Sequence, residues 1–276
     1  MYPITLGVCK QLMPIYDKPM VYYPLGTLML AGIREILIIT TPQDRERFEA
    51  LLGDGSHIGC RFFYTVQDRP RGLADAFIVG AEFIGDEKVC LILGDNIFYG
   101  VGLGSQLKAN TSPDGGIIFG YHTSTPERLG VVEFDDEMAV ISIEEKPKEP
   151  RSSYGIPGLY FFDNDVVEVA RGVQPSARGE LEITEVHNAY LRQGRLTVQL
   201  MDRGTAWMDP GTCDDALQAS QFIQVIEQRQ GLKIGCIEEI AWREGLIDRA
   251  QLCELAERCR KSSYGDYLMR IAEGTS

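Results

Sequence analysis

The stretch Glu35-Ile-Leu-Ile-Ile-Thr40 is a continuous apolar run that is rich in β-branched residues. Such a run predicts a β-strand that is buried on both faces. Val89-Cys-Leu-Ile-Leu-Gly94 and Gly116-Ile-Ile-Phe-Gly-Tyr121 repeat the pattern, and helix-like segments follow the first run at 42–52 and precede the second at 73–82. Because strands and helices alternate, the sequence predicts an α/β fold with a mostly parallel sheet and helices on both faces.

The pattern changes after about residue 130. The runs at 131–134, 140–143 and 196–200 are shorter and alternate more between apolar and polar residues. They predict an antiparallel or mixed extension of the sheet, and the segment 180–192 between them is typical of a helix.

The last quarter of the chain is largely helical in pattern. Gly231 and Gly245 divide it, and Asp248 is an expected N-cap. We therefore predict a core over residues 1–220 and a helical C-terminal extension over residues 221–276. Apolar side chains of the extension, which could pack on the core or serve assembly, are Ile237, Ile240, Trp242, Leu246 and Leu252.

The composition is that of an ordinary globular protein. Hydrophobic residues make up 44% of the 276 residues and charged residues 24%, a balance that argues against disorder. Forty acidic residues against 27 basic ones give a net charge of -13. That charge repels nucleic-acid backbones and anionic membranes, so we expect neither as a partner, whereas local basic residues can still bind a small phosphorylated substrate.

The cysteines and the first residues favour a cytoplasmic protein. The seven cysteines are scattered and form no C-x-x-C pair, which indicates free thiols in a reducing compartment. The start of the sequence lacks a basic segment followed by an apolar one, so we expect no targeting segment. The three histidines are far apart and form no metal-ligand spacing.

Two carboxylates are candidate metal ligands. Asp95 follows a predicted strand directly after Gly94, and open parallel sheets bind ligands at the carboxyl ends of their strands. Asp209 lies in the turn Trp207-Met-Asp-Pro-Gly211. Mg²⁺ is held by one or two carboxylates together with substrate phosphates. Spacing alone leaves open that Asp95 is a cap and Asp209 a turn residue.

Three further segments carry candidate binding residues. Lys10 and Gln11 lie in an irregular N-terminal segment, and the segment 67–74 joins a strand to a helix, so its backbone N–H groups could face a ligand. Glu145 and Lys146 are adjacent after a strand, and both can reach one ligand only if the strand has ended there. An ordinary loop and a solvated charge cluster are the alternatives for these last two segments.

Six short motifs occur in order along the chain. They are Lys10-Gln11, Tyr16-Asp-Lys-Pro-Met20, Gln67-x-x-Pro-x-Gly-Leu-Ala74, Gly94-Asp-Asn96, Glu144-Glu-Lys-Pro147 and Trp207-x-Asp-x-Gly211. In this order they resemble the bacterial glucose-1-phosphate thymidylyltransferases, and the similarity runs from Tyr2 to nearly the last residue. The resemblance implies a Rossmann-like core of the nucleotide-diphospho-sugar transferase type. It also implies transfer of a thymidylyl group from dTTP to glucose 1-phosphate, which is the first step towards dTDP-rhamnose and the O-antigen.

The resemblance implies a role for each matching residue. On the nucleotide side, Lys10 would neutralise phosphate as a catalytic residue with Gln11 beside it, and Asp95 and Asp209 would hold Mg²⁺. The thymine would be bound by the loop residues Gln67, Pro70 and Gly72.

On the sugar side, the resemblance implies a pocket formed by Gly130, Glu145 and Ile156. Lys146 and Arg178 would bind the sugar phosphate as catalytic residues. No protein nucleophile is required, because the sugar phosphate itself attacks the nucleotide.

Two departures from the family are visible. Its members have a first strand and a Gly-rich loop ahead of the segment that matches Tyr2-Pro3, and we expect the core to lack both. An inactive remnant that acts as a binding or regulatory subunit therefore stays an alternative, as does a sibling transferase that uses UTP or another sugar 1-phosphate. The family also implies a homotetramer with a second site for a feedback nucleotide-sugar, and Val101 replaces a histidine that is frequent there.

Overall fold

Thirteen strands and eleven helices are formed by residues 1–274, the part of the chain that this computed structural model describes. The strands are β1 (Pro14–Ile15), β2 (Lys18–Pro19), β3 (Glu35–Thr40), β4 (Arg61–Val66), β5 (Val89–Ile92), β6 (Ile97–Tyr99), β7 (Gly116–His122), β8 (Gly130–Phe134), β9 (Val140–Glu145), β10 (Tyr154–Gly155), β11 (Leu159–Phe162), β12 (Leu196–Leu200) and β13 (Ala206–Met208). The helices are α1 (Tyr22–Leu30), α2 (Arg45–Leu52), α3 (Asp75–Val79), α4 (Ala81–Ile84), α5 (Leu103–Lys108), α6 (Val166–Gly172), α7 (Ile183–Arg192), α8 (Cys213–Gln230), α9 (Ile237–Arg243), α10 (Arg249–Arg258) and α11 (Ser263–Glu273).

The central sheet has the strand order β5-β11-β7-β10-β8-β9, and β12 also pairs with β7. The predicted α/β class with flanking helices is confirmed, but the sheet is more mixed than predicted. Among its pairs only β12 and β7 run parallel, because β11 lies antiparallel between β5 and β7. All four residues of β11 are buried, and a strand that is apolar on both faces does not reveal its direction in the sequence.

A second, two-stranded sheet consists of β3 and β4 in parallel. Within residues 1–274, β3 pairs only with β4 and β5 only with β11. The free edges of β3 and β5 line one cavity of about 630 Å³, and apolar side chains of α1, α3 and α4 complete its walls. The cavity, which we call the interstrand slot, therefore separates the two sheets.

The C-terminal helices pack on the same core as α1, β3 and β4. All five apolar side chains proposed for assembly belong to this core: Ile237 and Leu252 are buried, and Ile240, Trp242 and Leu246 pack partly buried against it. A domain boundary between residues 220 and 221 would cut through α8. The C-terminal helices therefore extend the core of this chain.

Local signals in the sequence predicted several element ends. Gly231 and Gly245 adopt positive φ directly after or near the ends of α8 and α9, and the Asp248 side chain caps α10 with Gln251 in a capping box. The helix predicted at 73–82 is divided into α3 and α4 by Gly80. No helix in the described part of the chain has the length and apolar character needed to cross a bilayer.

Candidate active site

The pairing of β6 with β13 brings the two candidate metal ligands together. Asp95 lies two residues before β6, Asp209 directly follows β13, and Ile97 is paired with Met208. The ammonium Nζ of Lys10 lies 2.6 Å from Asp95 Oδ2 and 3.6 Å from Asp209 Oδ1. A single cation, the Lys10 ammonium, therefore contacts both carboxylates.

Asn96 holds the Asp95 carboxylate in its position beside Lys10. Its side chain is buried, and its Oδ1 accepts hydrogen bonds from Trp207 Nε1 at 2.7 Å and from the Gly158 backbone N–H at 2.9 Å. Its Nδ2 donates to Asp95 Oδ1 at 3.0 Å. One amide thus joins three segments and orients the Asp95 carboxylate.

The charges of the pair suit a divalent cation. Burial raises the pKa of Asp209, and the neighbouring Asp95 raises it further, whereas Lys10 opposes the effect. Among residues 1–274 no group of three or more histidine, cysteine or acidic side chains is placed to hold a metal. A protein nevertheless usually binds Mg²⁺ through only one or two carboxylates, and substrate phosphates and water supply the other ligands. Asp95 and Asp209 fit that description.

The predicted sugar residues surround Gly130. Gly130 is paired with Glu145 across β8 and β9, and its carbonyl accepts a hydrogen bond from the Ile156 N–H at 2.8 Å. A Cβ atom at Gly130 would lie 3.4 Å from Thr184 Oγ1, 3.5 Å from Glu145 Oε2 and 3.6 Å from Ile156 Cδ1. Thr184 donates to Glu145 Oε2 at 2.6 Å and so orients the carboxylate. These four residues form a small polar pocket.

Two cations converge on the same carboxylate. β9 ends at Glu145, and Lys146 has φ of 44°, so the two neighbouring side chains are not held on opposite faces of a strand. Lys146 Nζ lies 3.6 Å and Arg178 Nη2 3.5 Å from Glu145 Oε1. Arg178 also contacts Glu182 at 2.8 Å. Both cations are about half exposed and therefore accessible to an anionic ligand.

The loop 67–74 is anchored at both ends. Gln67 Nε2 donates to the buried carboxylate of Asp75 at 2.7 Å, and Arg71 Nε donates to the same oxygen at 3.1 Å. Gly72 has φ of 102°, and a Cβ there would lie 2.3 Å from the Leu181 carbonyl oxygen. Only glycine fits this contact, which places the loop beside the segment that carries Arg178. Pro70 lies exposed on the loop.

The remaining contacts connect the subsites. A Cβ on Gly94 would lie 3.1 Å from Gln11 Cγ, so Gln11 packs beside the Asp95 segment. Ile156 contacts Gly130 and Gly158 contacts Asn96. Because two residues span at most about 7 Å, the residues around Gly130 lie near Asn96. Burial raises the pKa of Tyr160, and the charges of Glu145, Asp209 and Asp95 raise it further.

The structure therefore places the predicted residues in three groups: Asp95 and Asp209 with Lys10, the loop at 67–74, and the residues around Gly130. Within residues 1–274, Asp95 and Asp209 form neither a hydrogen bond nor an ion pair with Lys146 or Arg178, so the two sets of charges stay separate. Sequence reasoning did not assign roles to Asn96, Trp207 and Thr184. The first two lie within the motifs Gly94-Asp-Asn96 and Trp207-x-Asp-x-Gly211, but Thr184 lies in the first turn of α7 and carries no local signal.

Comparison with known proteins agrees with this geometry. The family described as nucleotidyl transferase matches residues 1–225. A glucose-1-phosphate thymidylyltransferase of Mycobacterium tuberculosis is 56% identical over 273 residues, 99% of this chain and 95% of the relative, and one of Neisseria meningitidis is 53% identical over 98% and 94%. A Bacillus anthracis structure assigned to the same activity has a TM-score of 0.74 and 36% identity over 80% of this chain and 89% of its own. A UDP-glucose pyrophosphorylase structure at 23% identity, with a TM-score of 0.70 over 82% and 94% of the two chains, shares the fold.

Proposed function

This chain belongs to the nucleotidyl transferase family, among the glucose-1-phosphate thymidylyltransferases, and from that membership we propose that it converts dTTP and glucose 1-phosphate to dTDP-glucose and pyrophosphate. The observation that supports the proposal most strongly is the pair of carboxylates around one cation, Asp95 and Asp209. The close grouping of Gly130, Glu145 and Thr184 supports it further.

The proposed reaction is a direct displacement. A phosphate oxygen of glucose 1-phosphate attacks the α-phosphorus of dTTP, the new P–O bond forms, and the bond to the β-phosphate breaks as pyrophosphate leaves. Because two polyanions must meet, the protein contributes positioning and charge neutralisation. Mg²⁺ held by Asp95 and Asp209 would neutralise charge on the transferred group.

The residues of the sugar pocket divide the work on glucose 1-phosphate. Gly130 places no side chain between Thr184 and Glu145, and Glu145 accepts hydrogen bonds from sugar hydroxyls with the lone pairs that Thr184 does not use. Lys146 and Arg178, now 3.6 and 3.5 Å from Glu145, turn towards the phosphate. The pocket therefore combines hydrogen-bond acceptors for the sugar hydroxyls with cations that bind the sugar phosphate.

On the nucleotide side, Lys10 meets the triphosphate and the loop at 67–74 meets the base. The bond from Gln67 Nε2 to Asp75 fixes the orientation of the amide. Its Oε1 then accepts the imide N–H that thymine and uracil share and that cytosine lacks. The loop thus selects the base class, and Gly72 keeps the loop against Leu181.

Product analysis tests this assignment. The chain is incubated with Mg²⁺, glucose 1-phosphate and dTTP, and in parallel with UTP or with another sugar 1-phosphate. We expect dTDP-glucose as the main product. A higher kcat/KM with UTP or with another sugar would assign the chain to a sibling transferase.

We further propose a homotetramer in the cytoplasm with a second nucleotide-sugar site, as the family resemblance implies. Leu217 and Val225 of α8 and the nearby Leu232 are exposed and could serve subunit contacts. Val101, at the position where relatives often have histidine, is fully exposed after β6. A light-scattering mass equal to the 30.8 kDa of one chain would contradict the assembly.

A further inference from the structure

Lys10 lies where a metal ion bound by both carboxylates would lie. Its backbone is held by a short 3-10 turn, in which the Leu12 N–H donates to the Cys9 carbonyl at 3.0 Å and the Met13 N–H to the Lys10 carbonyl at 3.1 Å. Its ammonium is 2.6 Å from Asp95 Oδ2 and 3.6 Å from Asp209 Oδ1. The lysine charge is therefore the counter-ion of the pair.

The ammonium and a metal ion exclude each other at this position. Mg²⁺ binds oxygen at about 2.0–2.1 Å, so an ion on Asp95 Oδ2 would come into contact with an ammonium 2.6 Å from the same atom. Both are cations, and their repulsion in a partly buried site is strong. Lys10 must leave Asp95 before the carboxylate can accept a metal.

A second anion nearby can draw the side chain away. A lysine ammonium is a compact charge on a flexible four-carbon stem, and the Lys10 side chain is 21% exposed. A nucleoside triphosphate beside Gln11 and the loop at 67–74 would supply that anion. We propose that Lys10 is a displaceable counter-ion that keeps free divalent cations out of the Asp95–Asp209 pair until a triphosphate draws it away.

This proposal rests on the proposed function only because it takes a nucleoside triphosphate as the ligand. It assigns Lys10 a role in the order of events: metal binding to the protein depends on the triphosphate. The Lys10→Met variant lacks the counter-ion but keeps an unbranched side chain. Two carboxylates without a neighbouring cation attract a divalent ion more strongly, and we expect an increase in affinity on the order of tenfold.

Mn²⁺ alone is the probe, and electron paramagnetic resonance counts the free ion in the absence of any nucleotide. We expect weak binding in the unchanged chain and about tenfold tighter binding in Lys10→Met and Lys10→Gln. Lys261→Met removes the same charge from an exposed position in the turn between α10 and α11 and should leave binding unchanged. Adding Asp95→Asn to Lys10→Met should abolish the gain, which places the ion in this pair.

A second titration measures dTTP binding in EDTA. Both Lys10 variants should bind the nucleotide several-fold more weakly, because they lose the cation that moves onto it. If both variants unfold like the unchanged chain on heating but bind Mn²⁺ no more tightly, the counter-ion role is wrong. The Mn²⁺ titration contains neither dTTP nor sugar, so its outcome is independent of whether the proposed reaction is correct.

Discussion

Trp207 Nε1 donates a hydrogen bond of 2.7 Å to Oδ1 of Asn96, a residue that is 1% exposed. The bond joins the strand that ends before Asp209 to the turn that carries Asp95. The separation of the two metal ligands is therefore set by a contact between residues 111 positions apart in the chain.

Trp207→Phe tests this contact because it removes the donor and keeps an aromatic ring. We expect kcat/KM to fall about tenfold and the free energy of unfolding to fall by about 1 kcal/mol, the usual contribution of one hydrogen bond. Trp242→Phe, in the C-terminal helices, is the matched control and should retain kcat/KM. Equal loss of activity in both variants would show that the Asn96 bond does not position the site.

Gly72→Ala should disturb the nucleotide loop. Its φ of 102° is strained for any other residue, and the new methyl would overlap the Leu181 backbone. We expect a loss of about 1–3 kcal/mol in unfolding free energy and a raised KM for dTTP. Gly172→Ala is the control, because a Cβ there meets nothing within 4 Å and α6 tolerates alanine. Unchanged KM in Gly72→Ala would contradict the role of the loop.

His187 should make the fold sensitive to acid. It is buried against Tyr160 and Phe162, and neither ring nitrogen has a hydrogen-bond partner among the described residues. Burial lowers its pKa to about 3, well below its usual value of 6.5. Because the folded pKa is the lower one, protons bind the unfolded chain first. The stability that the neutral, buried His187 gives the folded chain is fully present above about pH 6.5. As pH falls towards 3, the free energy of unfolding decreases by about 1.4 kcal/mol per pH unit.

The measurement is the free energy of unfolding in urea between pH 7 and pH 5, above the range in which most carboxylates titrate. His187→Phe should be less dependent on pH in this window than the unchanged chain. His122→Phe replaces a histidine that is exposed on β7 and should keep the full dependence. Parallel pH profiles of the unchanged chain and His187→Phe would refute the assignment.

The interstrand slot predicts a response to an added strand. Free strand edges and apolar helix faces line it, and one strand of about five residues would bury enough surface to contribute several kcal/mol. Extending the chain ahead of Tyr2 with an apolar strand and a Gly-rich loop should raise the thermal midpoint and the rate of pyrophosphate release. The same extension with prolines in the strand should do neither, and equal behaviour of both extensions would contradict the prediction.

The sequence predicted local features better than distant contacts. Glu35–Thr40 and Leu196–Leu200 are strands with the predicted ends, because apolar β-branched runs are local signals. The direction of β11 was not predictable, since burial on both faces hides it. The bond from Thr184 to Glu145 joins residues 39 positions apart and depends on the packing of α7 against β9. Motif order indicated the candidate site residues, whose roles stay a prediction, but the position of Lys10 between two carboxylates required the structure.

We propose that thymidylyl transfer takes place at the Asp95–Asp209 pair. The most direct measurement is Mg²⁺-dependent formation of dTDP-glucose from dTTP and glucose 1-phosphate by the chain and its variants. We predict that Asp95→Asn and Asp209→Asn each lower turnover by orders of magnitude with little change in thermal unfolding, whereas Asp214→Asn, an exposed aspartate of α8, retains turnover. Near-normal Mg²⁺-dependent turnover in either site variant would contradict the claim.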